Sequence, residues 1–123
     1  MEFKNDQAIY LQIADRMIER VLRRTWQPND RIPSVRDTAV EVAVNPNTVV
    51  RSYAHLQELG IIYQQRGIGY FVSADAPARA VRLKKQEFLA ESLPTLFRTM
   101  DLLDITLEEL QTLYQQYEHA PNP

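Results

Sequence analysis

The chain has no cysteine, three glycines and a single tryptophan in 123 residues, and each shortage removes a class of chemistry. Without thiols there is no disulfide, no thiolate nucleophile and no cysteine-type zinc site, a pattern compatible with a reducing compartment. His55 and His119 are the two imidazoles and do not stand at metal-ligand spacing. The Gly67-Ile68-Gly69 run falls in a hairpin-like stretch and not ahead of a helix, so no phosphate-cradling loop is read. No enzymatic activity, cofactor or metal is therefore expected. Nothing approaches the run of roughly 18 apolar residues that crosses a membrane. Met1 to Asp6 has neither the basic region nor the apolar core of a secretory signal, so a cytoplasmic location with no membrane partner is expected.

What is present suits one ordinary globular domain with a small appendage: 45% apolar side chains and 24% charged. The net charge of −2 argues against a uniformly basic nucleic-acid binder, so the distribution of charge matters more than its total. Up to Asp75 there are nine bases and nine acids, and from Ala76 onward five and seven. Residues 42 to 74 hold one acid, Glu58, where average usage would place about four. The same stretch carries Arg51 and Arg66. Such a segment can approach phosphates without self-repulsion, although a buried segment with few charges would look the same.

Periodicity supplies the architecture. Ile13, Met17 and Val21 share one face of a helix over Ile9 to Leu22, with Arg16, Arg20, Arg23 and Arg24 largely on another. Trp26-Gln27-Pro28-Asn29-Asp30 reads as a turn, with Trp26 capping the core beside it. Ser34 followed by Asp37 opens a short second helix to Ala43, and Asn45-Pro46 caps a third with Val49, Tyr53, Leu56 and Leu59 inward and Gly60 as its stop. Only Val44 separates the second helix from the cap of the third, so the two turn sharply as in a helix-turn-helix. Ile61 to Gln65 and Tyr70 to Ser73 are β-type runs joined by Arg66-Gly67-Ile68-Gly69, a hairpin, with Arg31-Ile32 as a candidate third strand. The expected fold is mainly α with a small β-hairpin, a winged helix-turn-helix over residues 1–75.

Ala74 to Ala78, with Asp75 and Pro77, reads as a linker to a two-helix dimerisation tail over residues 76–123. Leu89, Leu93, Leu96, Phe97 and Met100 repeat at helical spacing, with Phe88 an alternative to Leu89, and Leu103, Leu107, Leu110, Tyr114 and Tyr117 repeat again. Pro94 is expected to kink or restart the first of these helices, and Thr106 with Glu109 forms a capping box for the second. Two such helices cannot bury their apolar stripes against each other alone, and a second copy of the chain is the simplest partner. Ala120 to Pro123 is expected to fray. A tail of this length leaves little volume for a ligand cavity; an unidentified small-molecule effector is left the dimer interface or the region between tail and DNA-binding module. Lys84 and Lys85 could recruit an anion there, with a solvated face as the simpler reading.

In a helix-turn-helix the second helix of the motif presents its amino-terminal outward side chains to base edges in the major groove. Here these are Asn47, Thr48 and Arg51, types able to bond guanine, adenine, phosphate or a thymine methyl, and, further along, His55, for which a bystander is the simpler reading. Ser34 and Arg36 at the start of the preceding helix can grip phosphate, and Arg66 with Gly67 forms a wing tip able to approach a minor groove. A solvated polar face would use the same residue types, and a winged helix can also serve protein interaction. Salt dependence separates DNA binding from an apolar protein interface.

The runs Ile9-Tyr10-Leu11-Gln12-Ile13, Pro33-Ser34-Val35-Arg36, Val44-Asn45-Pro46-Asn47-Thr48-Val49 and Gly67-Ile68-Gly69-Tyr70-Phe71-Val72 together resemble, in order and spacing, the GntR family of bacterial transcription regulators. The short tail is similar to the YtrA-like branch, whose members dimerise through a compact helical segment. The resemblance implies a homodimeric regulator of repressor type on double-stranded DNA with a palindromic operator, controlling a transporter operon. It implies that Arg36 contacts DNA, that Asn45 to Arg51 reads the major groove and that Gly67 lies on the wing. Many relatives have proline at the position of Ala8 and glycine at that of Asn29, and other branches place arginines at those of Pro46 and Val50. Arg51 is expected to take over part of their base-reading role.

Overall fold

The computed structural model describes residues 7–118. Met1 to Asp6, read above for a targeting signal, and His119 to Pro123, with the stretch expected to fray, lie outside the described residues. The chain divides into two compact units, the first running through Lys84 and the second starting at Lys85.

In the first unit, α1 (Ile9–Leu22) buries Ile13, Ala14, Met17, Ile18 and Val21 along one face. α2 (Val35–Val42) starts where the Asp37 N–H donates to Ser34 Oγ at 3.1 Å. It ends at Ala43, whose left-handed φ of 57° turns the chain toward the next helix. α3 (Pro46–Glu58) opens with the Asn47 N–H donating to Asn45 Oδ1 at 2.8 Å, and Pro46 sits in the first turn, where no N–H is needed. Gly60 follows with φ +75°, a conformation in which any side chain is strained, and a Cβ there would also displace the Arg79 guanidinium, whose Nη1 would lie 2.9 Å away.

β1 (Ile62–Gln65) and β2 (Gly69–Val72) pair antiparallel, with Ile62 opposite Val72 and Gln65 opposite Gly69. The expected third strand shrinks to one bridge, Arg31 to Phe71. Around it the Asn29 N–H donates to Val72 O at 2.8 Å and the Ile32 N–H to Tyr70 O at 3.0 Å. Ser34, two residues on, is already the cap of α2, so the chain leaves the sheet there.

The core of this unit joins the α1 face to Val49, Tyr53 and Leu56 of α3 and to Ile61, Ile62 and Val72 of the hairpin. Tyr53 has no exposed surface. Its hydroxyl donates to Pro33 O at 2.6 Å and lies 2.8 Å from Thr38 Oγ1, tying α3 both to the segment ahead of α2 and to α2 itself. Burial pushes the Tyr53 phenol above its ordinary pKa. Buried Ser52 donates to Tyr10 O at 2.7 Å and so fastens α3 to α1. Trp26 packs against the core as expected, with the Arg20 guanidinium 5.2 Å above its ring.

The linker expected at Ala74 to Ala78 is corrected: α4 (Ala76–Glu87) begins inside it. Pro77 occupies the first turn of that helix, where its missing N–H costs nothing, and the small Ala76 and Ala80 fit flush against the core, with Leu83 beside them. Lys84 is not a solvated lysine, for its Nζ donates to Asp15 Oδ1 on α1 at 3.0 Å.

Beyond α4 comes a π-helical turn, Phe88–Ser92, then α5 (Leu93–Leu102) and α6 (Leu107–Glu118). The restart open for Pro94 does not occur, because the backbone stays helical through it; a proline has no N–H to offer Ala90 O and would clash with it, and the wider π-helical turn ahead of it relieves both. Thr95 Oγ1 donates to Glu91 O at 3.0 Å. Thr106 caps α6 as expected, accepting the Glu109 N–H at 3.1 Å.

Candidate nucleic-acid interface

α3 buries Val49, Ser52, Tyr53 and Leu56 and turns its other side outward. Pro46, Asn47, Val50, Arg51 and Ala54 are exposed, while Thr48 and His55 are half-buried at the edges of that surface. The Arg51 guanidinium lies 4.0 Å from the centre of the Tyr10 ring on α1, and His55 meets the same ring edge-on at 6.2 Å. A cation held over an aromatic face loses less freedom when it then forms hydrogen bonds, and its planar edge keeps paired donors for a base or phosphate. Tyr10 escaped the sequence reading. Its signal was its position one residue off the apolar stripe of α1, inside the first of the quoted runs.

Two further groups carry cations. At the start of α2, Ser34 and Arg36 are exposed, with the Ser34 oxygen committed to the cap. At the wing tip Arg66 and Gly67 are exposed; Gly67 has φ +77° and open space where a Cβ would stand, so its backbone can approach a surface closely. Neither Arg36 nor Arg66 has an ion-pair or hydrogen-bond partner among the described residues. Asn45, like Ser34, spends its side-chain oxygen on a cap, which leaves its amide NH2 for other partners. Arg31 was also missed. Its Nη2 donates to Ile68 O at 2.6 Å, and a Cβ on Gly69 would lie 3.0 Å from its Nε, so it braces the turn that holds Arg66 and Gly67.

The second unit presents apolar surface. Met100 is buried and Leu93 and Leu110 half-buried, but Leu89, Leu96, Phe97, Leu103, Leu107 and Tyr114 are 37% to 71% exposed. An open recess of about 510 Å³ at the α5–α6 turn is lined by Phe97, Met100, Ile105 and Leu107 with Asp101 and Asp104, more volume than the length of the tail led us to expect.

Three helices closed by a hairpin, with a capped third helix turning polar side chains outward and unpaired arginines at a helix start and a wing tip, define a winged helix-turn-helix DNA-binding protein. The model of the bacterial regulatory proteins of the gntR family matches residues 9–72. The HTH-type transcriptional regulator YhcF of Bacillus subtilis is 38% identical over 109 residues, 89% of this chain and 88% of that protein. The HTH-type transcriptional repressor YtrA of Bacillus subtilis is 36% identical over 102 residues, 83% of this chain and 78% of that protein. A GntR-family regulator from Bacteroides thetaiotaomicron superposes with a TM-score of 0.74 at 43% identity, covering 89% of this chain and 96% of that one. The chain belongs to the GntR family and is a DNA-binding transcriptional regulator, not an enzyme. No helix among the described residues is long and apolar enough to cross a membrane.

Proposed function

We propose that the chain acts in the cytoplasm as a homodimeric repressor on an inverted-repeat operator. The observation that carries this reading is the second unit's surface, where large apolar side chains from Leu89 to Tyr114 lie uncovered and a second copy of the same helices would cover them. A two-fold axis through that interface relates two α3 helices, which sets half-sites about 10 bp apart or a multiple of it. In each half-site Asn47, Thr48, Arg51 and His55 face the major groove. Asn45 opens the segment that reads that groove, Ser34 and Arg36 hold the backbone, and Arg66 and Gly67 reach the minor groove. The repressor sense is supported by the likeness to YtrA, which is named a repressor, and a transporter operon as target rests on the resemblance alone. An effector would bind at the dimer interface, where the second copy closes over the recess lined by Phe97 and Leu107.

Selection of bound sequences from a random duplex pool tests the reading. An inverted repeat is expected, and a single asymmetric site would overturn the dimeric mode. Against the selected duplex, Arg51→Ala and Arg36→Ala are each expected to weaken binding by about 1–3 kcal/mol, with Arg51→Ala also relaxing base preference. Unchanged affinity in both would overturn the assignment of these residues.

A further inference from the structure

α3 is apolar on two sides, and only one of them is explained by the core. Pro46, Val50 and Ala54 stand four residues apart and are all exposed, Val50 by 50%, forming an apolar ridge on the outward surface. Beside it runs a second row with the same spacing, Asn47, Arg51 and His55, in which Arg51 stacks on Tyr10. The middle of this ridge is the branched Val50, with Pro46 and Ala54 one turn to either side.

We infer that the Pro46–Val50–Ala54 ridge reads thymine 5-methyl groups and makes Val50 a specificity-determining residue for A·T pairs. The inference rests on α3 lying in the major groove. The thymine methyl is the apolar feature the major groove displays. Every base pair sets polar groups against a side chain without donor or acceptor, but an A·T pair also offers Val50 the methyl as an apolar contact and a G·C pair offers none, so the preference is for A·T at that step. Neighbouring Asn47 is of the type that bonds adenine through both N6 and N7, so the two rows favour the same base pairs. The acid-poor stretch around α3, with Glu58 alone at its far end, lets the ridge come within contact distance of the DNA.

The test uses the full chain and the duplex selected from the random pool, with each thymine of a half-site replaced singly by deoxyuridine so that only the methyl is lost. One or two positions per half-site should then bind about fourfold more weakly, the scale of one buried methyl group. Val50→Ala, at an exposed site, should melt like the parent and lose the sensitivity at the position facing residue 50. Deoxyuridine tolerated at every position, or a Val50→Ala protein with the parent's sensitivity, overturns the inference. Asn47→Ala and Arg51→Ala separate the two levels of failure. If they weaken binding while deoxyuridine is silent, methyl reading alone is overturned; if they too bind as the parent does, the placement of α3 in the groove is overturned with it.

Discussion

The two units bury apolar surface by opposite means. Of the buried hydrophobic residues among those described, fifteen lie in the unit ending at Lys84, and Met100 stands alone in the unit beginning at Lys85. The balance reverses on the outside, where ten of the large exposed hydrophobics fall between Phe88 and Tyr117 and five lie in the longer first unit. Helices of 10 and 12 residues joined by a short turn are marginal without packing. Stability in the first unit is therefore a property of one chain, and in the second, under the proposed dimer, it would be a property of chain concentration.

The largest expected effect breaks the second half of that contrast. Phe97→Asp with Leu107→Asp places two carboxylates on the uncovered surface, where each parent side chain is worth about 1.5–3 kcal/mol on burial. The dimer dissociation constant should rise at least about a hundredfold. Sedimentation should report a monomer at concentrations where the parent is a dimer, and operator binding should fall with it. A dimer mass retained by the double variant would move the interface off this face.

Next comes the first unit. Leu56 is fully buried, and Leu56→Ala is expected to cost about 2–5 kcal/mol of folding stability. Denaturant titration checks the size, and repetition at several protein concentrations checks its kind. Loss in the first unit should be independent of concentration, whereas the second unit's melting should shift with it.

The same division governs what could be read from the residues. α1, α2, α3 and the hairpin announce themselves because their signals are local: the Ser34 and Asn45 caps, Pro46, Gly60 and clean periodicity. α4 was hidden because Asp75 and Pro77 are turn formers by type, and only the packing of Ala76 and Ala80 against a distant core shows that Pro77 begins a helix. The candidate site divides likewise. Asn47, Arg51 and Arg36 follow from helix position, but Tyr10 under Arg51 and the Arg31 brace on the wing are contacts between residues 41 and 37 positions apart. No spacing rule within one element reveals such pairs.

A smaller effect sharpens the picture of the first unit through pH. Burial holds the Tyr53 phenol above the ordinary 10.0, so the folded chain keeps that proton when the unfolded chain releases it. The advantage of the buried neutral phenol is complete below pH 10 and is lost as pH rises through the higher folded value. Urea titrations at pH 9 and pH 11 should show stability falling at the upper value. Tyr53→Phe should remove the portion of the fall due to this group, while losing the hydroxyl's bonds to Pro33 and Thr38 at both pH values. A variant with the parent's full pH dependence would assign the loss to other groups.

The smallest effect compares the helix turns of the two units directly. Each is closed by a residue other than glycine in the left-handed region, Ala43 at φ 57° and Asp104 at φ 55°. Alanine has a Cβ that resists this conformation and no polar side chain to offset it, whereas aspartate tolerates it better through local hydrogen bonding. Relief of that strain by glycine is offset in part by the greater freedom glycine gives the unfolded chain. Ala43→Gly should therefore raise stability by about 0.5–1 kcal/mol, and Asp104→Gly by less. Because Ala43 lies in the unit whose core is internal, its gain should be the same at every protein concentration. A gain that grows on dilution would mean that the α2–α3 turn senses the dimer, and the separation of the two units' energetics would fail there.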